Sequence, residues 1–228
     1  MKISDCNVVL RKVDGTELDI VNAARVSFHK ESSFDEYYAC KPDEEDGIKS
    51  YKLVDKDIKL INYLASHGHW TPFGHVNATF VIKAPIFIAR QLGKHQVGLV
   101  WNEVSRRYVD EEPEFFFPNV WRGKPVNAKQ GSDGVVELKL CNAHDPIEYC
   151  LKMYTQLLAE GVAPEQARMV LPQNMMTEWW WTGSLAAWAR VCNLRLDPHT
   201  QEETRDVVQT MYNRLLSRFP NALPALMK

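Results

Sequence analysis

The sequence lacks most of the patterns that assign a chain to a common class of protein. No apolar run within its 228 residues approaches the roughly 20 residues of a membrane-spanning helix, so no membrane partner is expected. The first segment, MKISDCNVVLRKVDG, places Asp5 and Arg11 around a short apolar run, and we expect no signal peptide. A formal net charge of -2, from 27 Lys and Arg against 29 Asp and Glu, argues against a nucleic acid polymer as partner.

Cysteine and glycine patterns exclude further classes. The five cysteines form no CxxC pair, which predicts neither a disulfide framework nor a structural zinc site and favours a reducing cytoplasmic location, or the host cytoplasm if the chain is viral. No glycine-rich phosphate loop of either common type occurs, which disfavours an ATPase and a Rossmann dehydrogenase. The GxSxG turn of serine hydrolases is also missing.

Helix and strand patterns are mixed along the chain without regular alternation, which predicts an α+β fold with an antiparallel or mixed sheet flanked by helices. The sequence shows no repeat and no linker, so we expect one domain over 1–228 with insertions near 30–57 and 109–146. The acidic segment 30–57 is predicted to be a surface loop, and 109–146 a hairpin or insertion. Strands are predicted at 6–13, 77–84 and 135–140, and a strand or a tight buried segment at 177–183. Helices are predicted at 18–28, 55–66, 85–95, 146–160, 184–194 and 200–218.

Three histidines within nine residues, His67, His69 and His75, form the first candidate site. They could ligate a metal ion in a hydrolase. The helical HExxH pattern is missing, however, and no carboxylate or cysteine lies in the segment 67–75 to complete a site. We therefore predict a structural turn and no metal, and keep the metal-dependent hydrolase as an alternative.

Basic residues gather between Arg90 and Tyr108, in RQLGKHQVGLVWNEVSRRY, with Glu103 as the only acid. Arg90 and Lys94 are four residues apart and share one helix face. Cations this close repel one another unless an anion lies among them, and arginine matches phosphate oxygens geometrically. The segment indicates a pocket for a phosphorylated small molecule, with a solvated basic turn as the alternative. Arg168, Arg190 and Arg195, near the run Trp179–Trp181, suggest a second lining of the same pocket.

Several segments together resemble the flavin-dependent thymidylate synthases: AARVSF (23–28), HGHWTPFGH to SRRY (67–108), GVAPEQARMVLPQN (161–174) and NLRLDPHTQEE (193–203). They cover about half the chain in the family's order. The resemblance implies a homotetramer of α+β subunits with active sites at the subunit interfaces. It also implies dTMP synthesis from dUMP, with FAD as cofactor, and NADPH and methylene-tetrahydrofolate as co-substrates.

The resemblance also assigns roles to individual residues. Arg195 matches the catalytic arginine that stabilises negative charge on uracil. The residues implied to bind dUMP are Gln91, Lys94, Glu103, Ser105, Arg106, Arg107, Arg168 (from another subunit) and Arg195. Those implied to lie at the flavin are His69, Thr71, Lys94, His95, Gln96, Glu103, Ser184 and Arg190.

The sequence departs from the family's signature, which is Arg-His-Arg, seven residues and then Ser. Here Lys94-His95-Gln96 is followed by eight residues before Ser105. Arg190 stands where family members commonly carry Asn, and we hypothesise that it restores the charge lost at Gln96. A degenerate relative that binds nucleotide or flavin without turnover is the alternative to an enzyme.

The chemistry expected of such an enzyme depends on charge and not on a thiol. No cysteine here lies in the Pro-Cys-His context of the other kind of thymidylate synthase. A permanently protonated arginine beside the uracil ring lowers the cost of moving electron density into it. Ser105 has no base placed beside it by sequence and is interpreted as a ligand-binding hydroxyl.

Overall fold

A computed structural model describes residues 1–39, 48–109, 111–126 and 131–227. Its strands are β1 Lys2–Ile3, β2 Asn7–Asp14, β3 Asp35–Ala39, β4 Ile48–Lys52, β5 Asn77–Pro85, β6 Leu99–Glu103, β7 Glu114–Phe115, β8 Trp121–Gly123, β9 Asp133–Val136 and β10 Met176–Ser184. Its helices are α1 Glu17–Arg25, α2 Asp55–Ser66, α3 Ile86–Leu92, α4 His144–Ala159, α5 Pro164–Ala167, α6 Leu185–Arg195, α7 Glu202–Leu216 and α8 Ala222–Leu226. Short 3-10 turns cover Val26–Phe28, Thr71–Gly74 and Arg168–Val170.

The central sheet has four antiparallel strands in the order β2-β5-β10-β6. β10 is the strand predicted from the tryptophan run, and its side chains alternate between the two faces: Trp179 and Trp181 are buried whereas Trp180 is 51% exposed. The α+β class and the antiparallel sheet flanked by helices are confirmed.

Aromatic packing fixes α6 behind this sheet. Trp181 meets Trp188 of α6 edge to face, with ring centroids 4.9 Å apart, and Trp101 of β6 stacks on Trp179 at 4.5 Å. The Trp188 indole N–H also donates to the Ala78 carbonyl of β5 at 3.2 Å. Since buried aromatic pairs with a satisfied N–H hold a fixed geometry, the residue that ends α6 has a defined position.

Two buried carboxylates hold the N-terminal helices: one joins α1 to the start of α8, and the other joins α2 to α1. Glu17 of α1 accepts hydrogen bonds from the Asn221 and Ala222 backbone N–H groups at 2.7 and 2.6 Å, at the N-terminal end of α8. Asp57 of α2 is fully buried and pairs with Arg25 of α1. Such charges tolerate burial because each is hydrogen-bonded.

Three predictions about the elements were wrong in part. Segment 30–57 is not all loop, because β3 and β4 pair antiparallel within it; residues 40–47 lie outside the described residues. A strand was predicted at 135–140. The observed strand, β9, covers 133–136, and residues 137–143 form no strand. Pro85 ends β5 and precedes α3 as its N-cap, with ψ at 154°, and does not begin the helix. The short strand β6 and helix α8 were not predicted.

Segment 109–146 contains the antiparallel pair β8 and β9, as expected for a hairpin, and its being an insertion stays a prediction. The single domain stays a prediction. Within the described ranges, no helix is both long and apolar enough to cross a membrane.

Candidate active site

Helices α3 and α6 bring together three of the predicted site residues, Gln91, His95 and Arg195. Arg195 ends α6, and its Nε donates a hydrogen bond to His95 Nε2 at 2.9 Å. Its Nη2 donates to the backbone carbonyl of Gln91, in α3, at 3.2 Å. Residues a hundred or more positions apart in sequence therefore form one cluster at the end of the buried helix.

The side-chain amide of Gln91 is held at both of its polar atoms. Its Oε1 accepts a hydrogen bond from the Thr204 hydroxyl of α7 at 3.2 Å, and its Nε2 donates to Gln201 Oε1 at 2.5 Å. Thr204 is fully buried, and its contact with the half-buried Gln91 is partly buried. The beginning of α7 thus fixes the orientation of Gln91.

Arg195 and His95 each line a cleft. Arg195 lines a cleft of about 600 Å³, together with Gln91, Gly131, Asn193, Leu194, Asp197, His199, Thr200 and Gln201. His95 lines a smaller cleft of about 280 Å³, together with Ile86, Ala89, Arg90, Gly93, Gln96, Leu99, Trp101 and Glu103. The pair therefore forms part of the walls of both clefts.

The Arg195 guanidinium has no carboxylate partner among the described residues; both of its hydrogen bonds go to neutral acceptors. Burial lowers the pKa of Arg195, yet guanidinium stays protonated in proteins. The pKa of His95 is lowered by burial first, and then by the positive charges of Arg195 and Arg190. The cluster thus combines a neutral imidazole with a guanidinium whose charge is not cancelled.

Glu103 is fixed at the end of β6. Its Oε1 accepts from the Thr177 hydroxyl at 2.7 Å, and its Oε2 accepts from the Trp101 indole N–H at 3.2 Å. Thr177 belongs to β10, so two neighbouring strands orient this carboxylate toward the smaller cleft that it lines. A carboxylate held by two donors can accept a hydrogen bond from a ligand in a defined direction.

The loop between α3 and β6 is attached to α6 near Arg190 and Ser184. Arg190 Nη2 donates to the Val97 carbonyl at 2.6 Å, and Ser184 caps α6 by accepting from the Ala187 N–H at 3.3 Å. Gly98 has a φ of +74°, and a Cβ there would lie 3.3 Å from the Ala187 side chain. The loop with one extra residue therefore lies close against α6, and Lys94 and Gln96 are exposed on it.

Residues 105–107 and Arg168 lie elsewhere in the monomer. Arg107 donates to the Ser105 hydroxyl from its Nε at 3.4 Å, whereas Arg106 donates to the Glu111 carbonyl. Arg168 is exposed in the turn after α5 and donates to the Glu165 carbonyl at 3.3 Å. Within the described part of the chain, none of the four bonds to Arg195 or lines its cleft.

The histidine segment forms a stack of rings. His67 stacks on Tyr63 of α2 at 4.1 Å between ring centroids, and His69 lies 6.2 Å from the same ring. Thr71 begins the following 3-10 turn. Across the ranges that the structure describes, no three His, Cys, Asp or Glu side chains are grouped so as to hold a metal ion.

Sequence reasoning missed Gln201, Thr204, Asp197 and His199. Asp197 Oδ1 lies 2.9 Å from His199 Nδ1, and the two bonds between these residues lower the pKa of the Asp197 carboxyl. All except Thr204 line the larger cleft. The segment was part of the resemblance, but no local pattern indicated which of its side chains meet Gln91.

Comparisons with known proteins give matches over most of the chain. A family described as "Thymidylate synthase complementing protein" matches residues 8–221. The chain is 37% identical over 199 residues to the flavin-dependent thymidylate synthase of Thermosipho africanus, covering 85% of this chain and 87% of that protein. It is 34% identical over 222 residues to the one from Thermotoga neapolitana, covering 97% and 90%. A solved structure of the UMP/dUMP methylase PolB from Streptomyces cacaoi, bound with 5-Br dUMP, superposes with a TM-score of 0.78 at 27% identity, covering 99% of this chain and 96% of that one.

Proposed function

Because the chain belongs to the flavin-dependent thymidylate synthase family, we propose that it converts dUMP to dTMP, with methylene-tetrahydrofolate as the carbon donor. The observation that carries the proposal is the charged Arg195 guanidinium, held by neutral acceptors at the wall of a cleft of about 600 Å³. This volume lies within the roughly 300–1,000 Å³ of small-ligand sites. The methylase PolB, with its bound 5-Br dUMP, supports a nucleotide as the occupant.

Arg195 acts on the uracil ring. The C5 carbon must become nucleophilic enough to attack a one-carbon unit, and a cation placed in advance near the ring oxygen stabilises the charge that develops there. No thiol is needed for this step. Burial raises the pKa of both Cys6 and Cys192 to about 12, so neither is a thiolate at neutral pH.

The flavin cofactor is FAD, with NADPH as its reductant. The smaller cleft and its surroundings suit such a group, because Lys94 and Gln96 are exposed on the adjoining loop and Glu103 offers a fixed acceptor. When bound, the flavin supplies the hydride that completes the methyl group. Ser184 and Arg190 would hold it from the α6 side, whereas His69 and Thr71 would approach it from the stacked segment.

The working unit is a homotetramer whose sites are completed by neighbouring subunits. Arg168 is exposed beside Met169, which is 79% exposed, and both belong to a turn packed on α4. An exposed arginine beside an exposed apolar side chain is typical of an interface position. We place Arg168 of one subunit, and with it the nucleotide contacts of Ser105, Arg106 and Arg107, at the cleft of another. The cytoplasmic location stays a prediction.

The absorption spectrum of the purified protein tests the proposal. We expect a yellow protein whose flavin band is bleached by NADPH and returns when dUMP and methylene-tetrahydrofolate are added, with dTMP as product. A protein that binds dUMP but takes up no added FAD would instead be the degenerate relative. Turnover that stops after treatment with a chelator and resumes with added metal would support the metal-dependent hydrolase.

A further inference from the structure

His95 accepts the hydrogen bond that orients Arg195. We propose that His95 is a positioning residue: as a neutral acceptor it holds the Arg195 guanidinium toward the nucleotide cleft without cancelling its charge. The inference rests on the role of Arg195 proposed above. The contact is direct, since 2.9 Å separates Arg195 Nε from His95 Nε2, and it lies in a partly buried region.

The geometry selects one form of the imidazole. Arg195 Nε carries a hydrogen and can only donate, so His95 Nε2 must carry none. A neutral imidazole then has its proton on Nδ1. A doubly protonated ring would place two N–H groups against each other, and the contact would break.

The charges around His95 favour this neutral form. Arg195 and Arg190 reach it from α6 and, together with burial, lower its pKa. Arg90 and Glu103 line the cleft that His95 also lines, and Lys94 precedes it in the chain. None of the described carboxylates is hydrogen-bonded to His95 or forms an ion pair with Arg195.

The choice of acceptor has a consequence for the ligand. A carboxylate in place of His95 would hold the guanidinium as firmly, but the pair would be close to neutral and would attract an anionic nucleotide less strongly. Imidazole Nε2 and the Gln91 carbonyl fix Nε and Nη2 while leaving a full positive charge. Nη1 has no hydrogen-bond partner among the described residues, so it keeps donors for a bound base.

The test compares substitutions that keep or remove the acceptor. In His95→Gln the side-chain oxygen reaches the position of Nε2. The side chain of His95→Asn is too short to reach it, and that of His95→Leu has no acceptor. We expect kcat of His95→Gln within a few-fold of the parent, and of His95→Leu and His95→Asn lower by roughly tenfold or more, as for a lost bond to a charged group. FAD content, measured on each purified variant, separates this effect from a loss of cofactor.

A second readout needs neither substrate nor cofactor. In ¹⁵N NMR spectra of the ligand-free protein, His95 should be the Nδ1–H tautomer at neutral pH, and the Arg195 Nε–H should exchange slowly in the parent and in His95→Gln but rapidly in His95→Leu. An Nε2–H tautomer, or slow exchange together with parental kcat in His95→Leu, would overturn the inference. Parental kcat in Arg195→Ala would instead defeat the proposed role of Arg195, while the exchange data would still report whether His95 positions it.

Discussion

Replacing Arg195 by alanine tests how the uracil ring is activated. The side chain makes two hydrogen bonds, to His95 Nε2 and the Gln91 carbonyl, and has no ion pair among the described residues. Both acceptors are only partly buried and can bind water after the substitution. We therefore expect a cost of about 1–2 kcal/mol in the free energy of unfolding, which leaves the fold intact.

The effect on turnover should be much larger. Removing one donor that faces developing negative charge costs about 10²–10³ in kcat in comparable sites. The kcat of Arg195→Ala should fall by at least this factor, because the substitution removes a full charge. The kcat of Arg195→Lys should lie between those of Arg195→Ala and the parent. The assay is dTMP formation at saturating dUMP, with FAD content and the urea midpoint measured for each variant. Arg218→Ala, at an exposed position of the same charge, is the matched control. A kcat near the parental value in a folded, FAD-loaded Arg195→Ala would refute the electrostatic role.

Further predictions concern stability and the cofactor. Glu17→Ala removes the acceptor of three hydrogen bonds from Asn221 and Ala222 and should lower the free energy of unfolding by about 3 kcal/mol. In urea titrations the exposed control Glu148→Ala should change this free energy little. Equal losses of free energy in the two variants would contradict the reasoning. Hydrogen bonds from Lys83 and Ser4 lower the pKa of Glu114, so its contribution to stability is present above its ordinary value of 4.5 and is lost as pH falls through the lowered one. The free energy of unfolding should therefore fall less steeply between pH 6 and pH 3 in Glu114→Gln than in the parent. Parallel pH curves for the two proteins would count against a stabilising contact between Lys83 and Glu114. Gln96→Arg should tighten FAD binding in fluorescence titrations, whereas weaker binding would mean that the extra loop residue has moved position 96 away from the cofactor. Arg190→Ala should weaken FAD binding, and unchanged affinity would end the hypothesis that Arg190 restores the charge lost at Gln96.

The sheet and its helices were largely predictable because their sequences carry clear periods. Trp179, Trp180 and Trp181 alternate between faces as β10 requires, and the apolar residues of α2 recur at helical spacing. In α6 most residues are apolar and buried, which is typical of a helix inside the core. β3 and β4 were missed because their residues are mostly polar and gain pairing partners only from each other. β6 was missed because its residues were interpreted as part of a basic binding segment.

The site was predictable in its residue types and not in its contacts. Arginine and histidine in a basic segment indicated an anion site, and the family resemblance selected Arg195 and His95. No pattern in the sequence, however, joins Thr204 to Gln91 across 113 positions, or Arg195 to His95 across 100. These contacts arise because α3, α6 and α7 pack together on one face of the sheet, which is a property of the tertiary fold.

In the proposed reaction, the protein transfers a one-carbon unit to dUMP using electrons held on its own flavin. A single-turnover experiment tests it most directly: the flavin is reduced chemically without NADPH, excess reductant is removed, and dUMP and methylene-tetrahydrofolate are added under anaerobic conditions. One dTMP should form for each flavin reoxidised. A flavin that stays reduced while bound dUMP remains unchanged would contradict it.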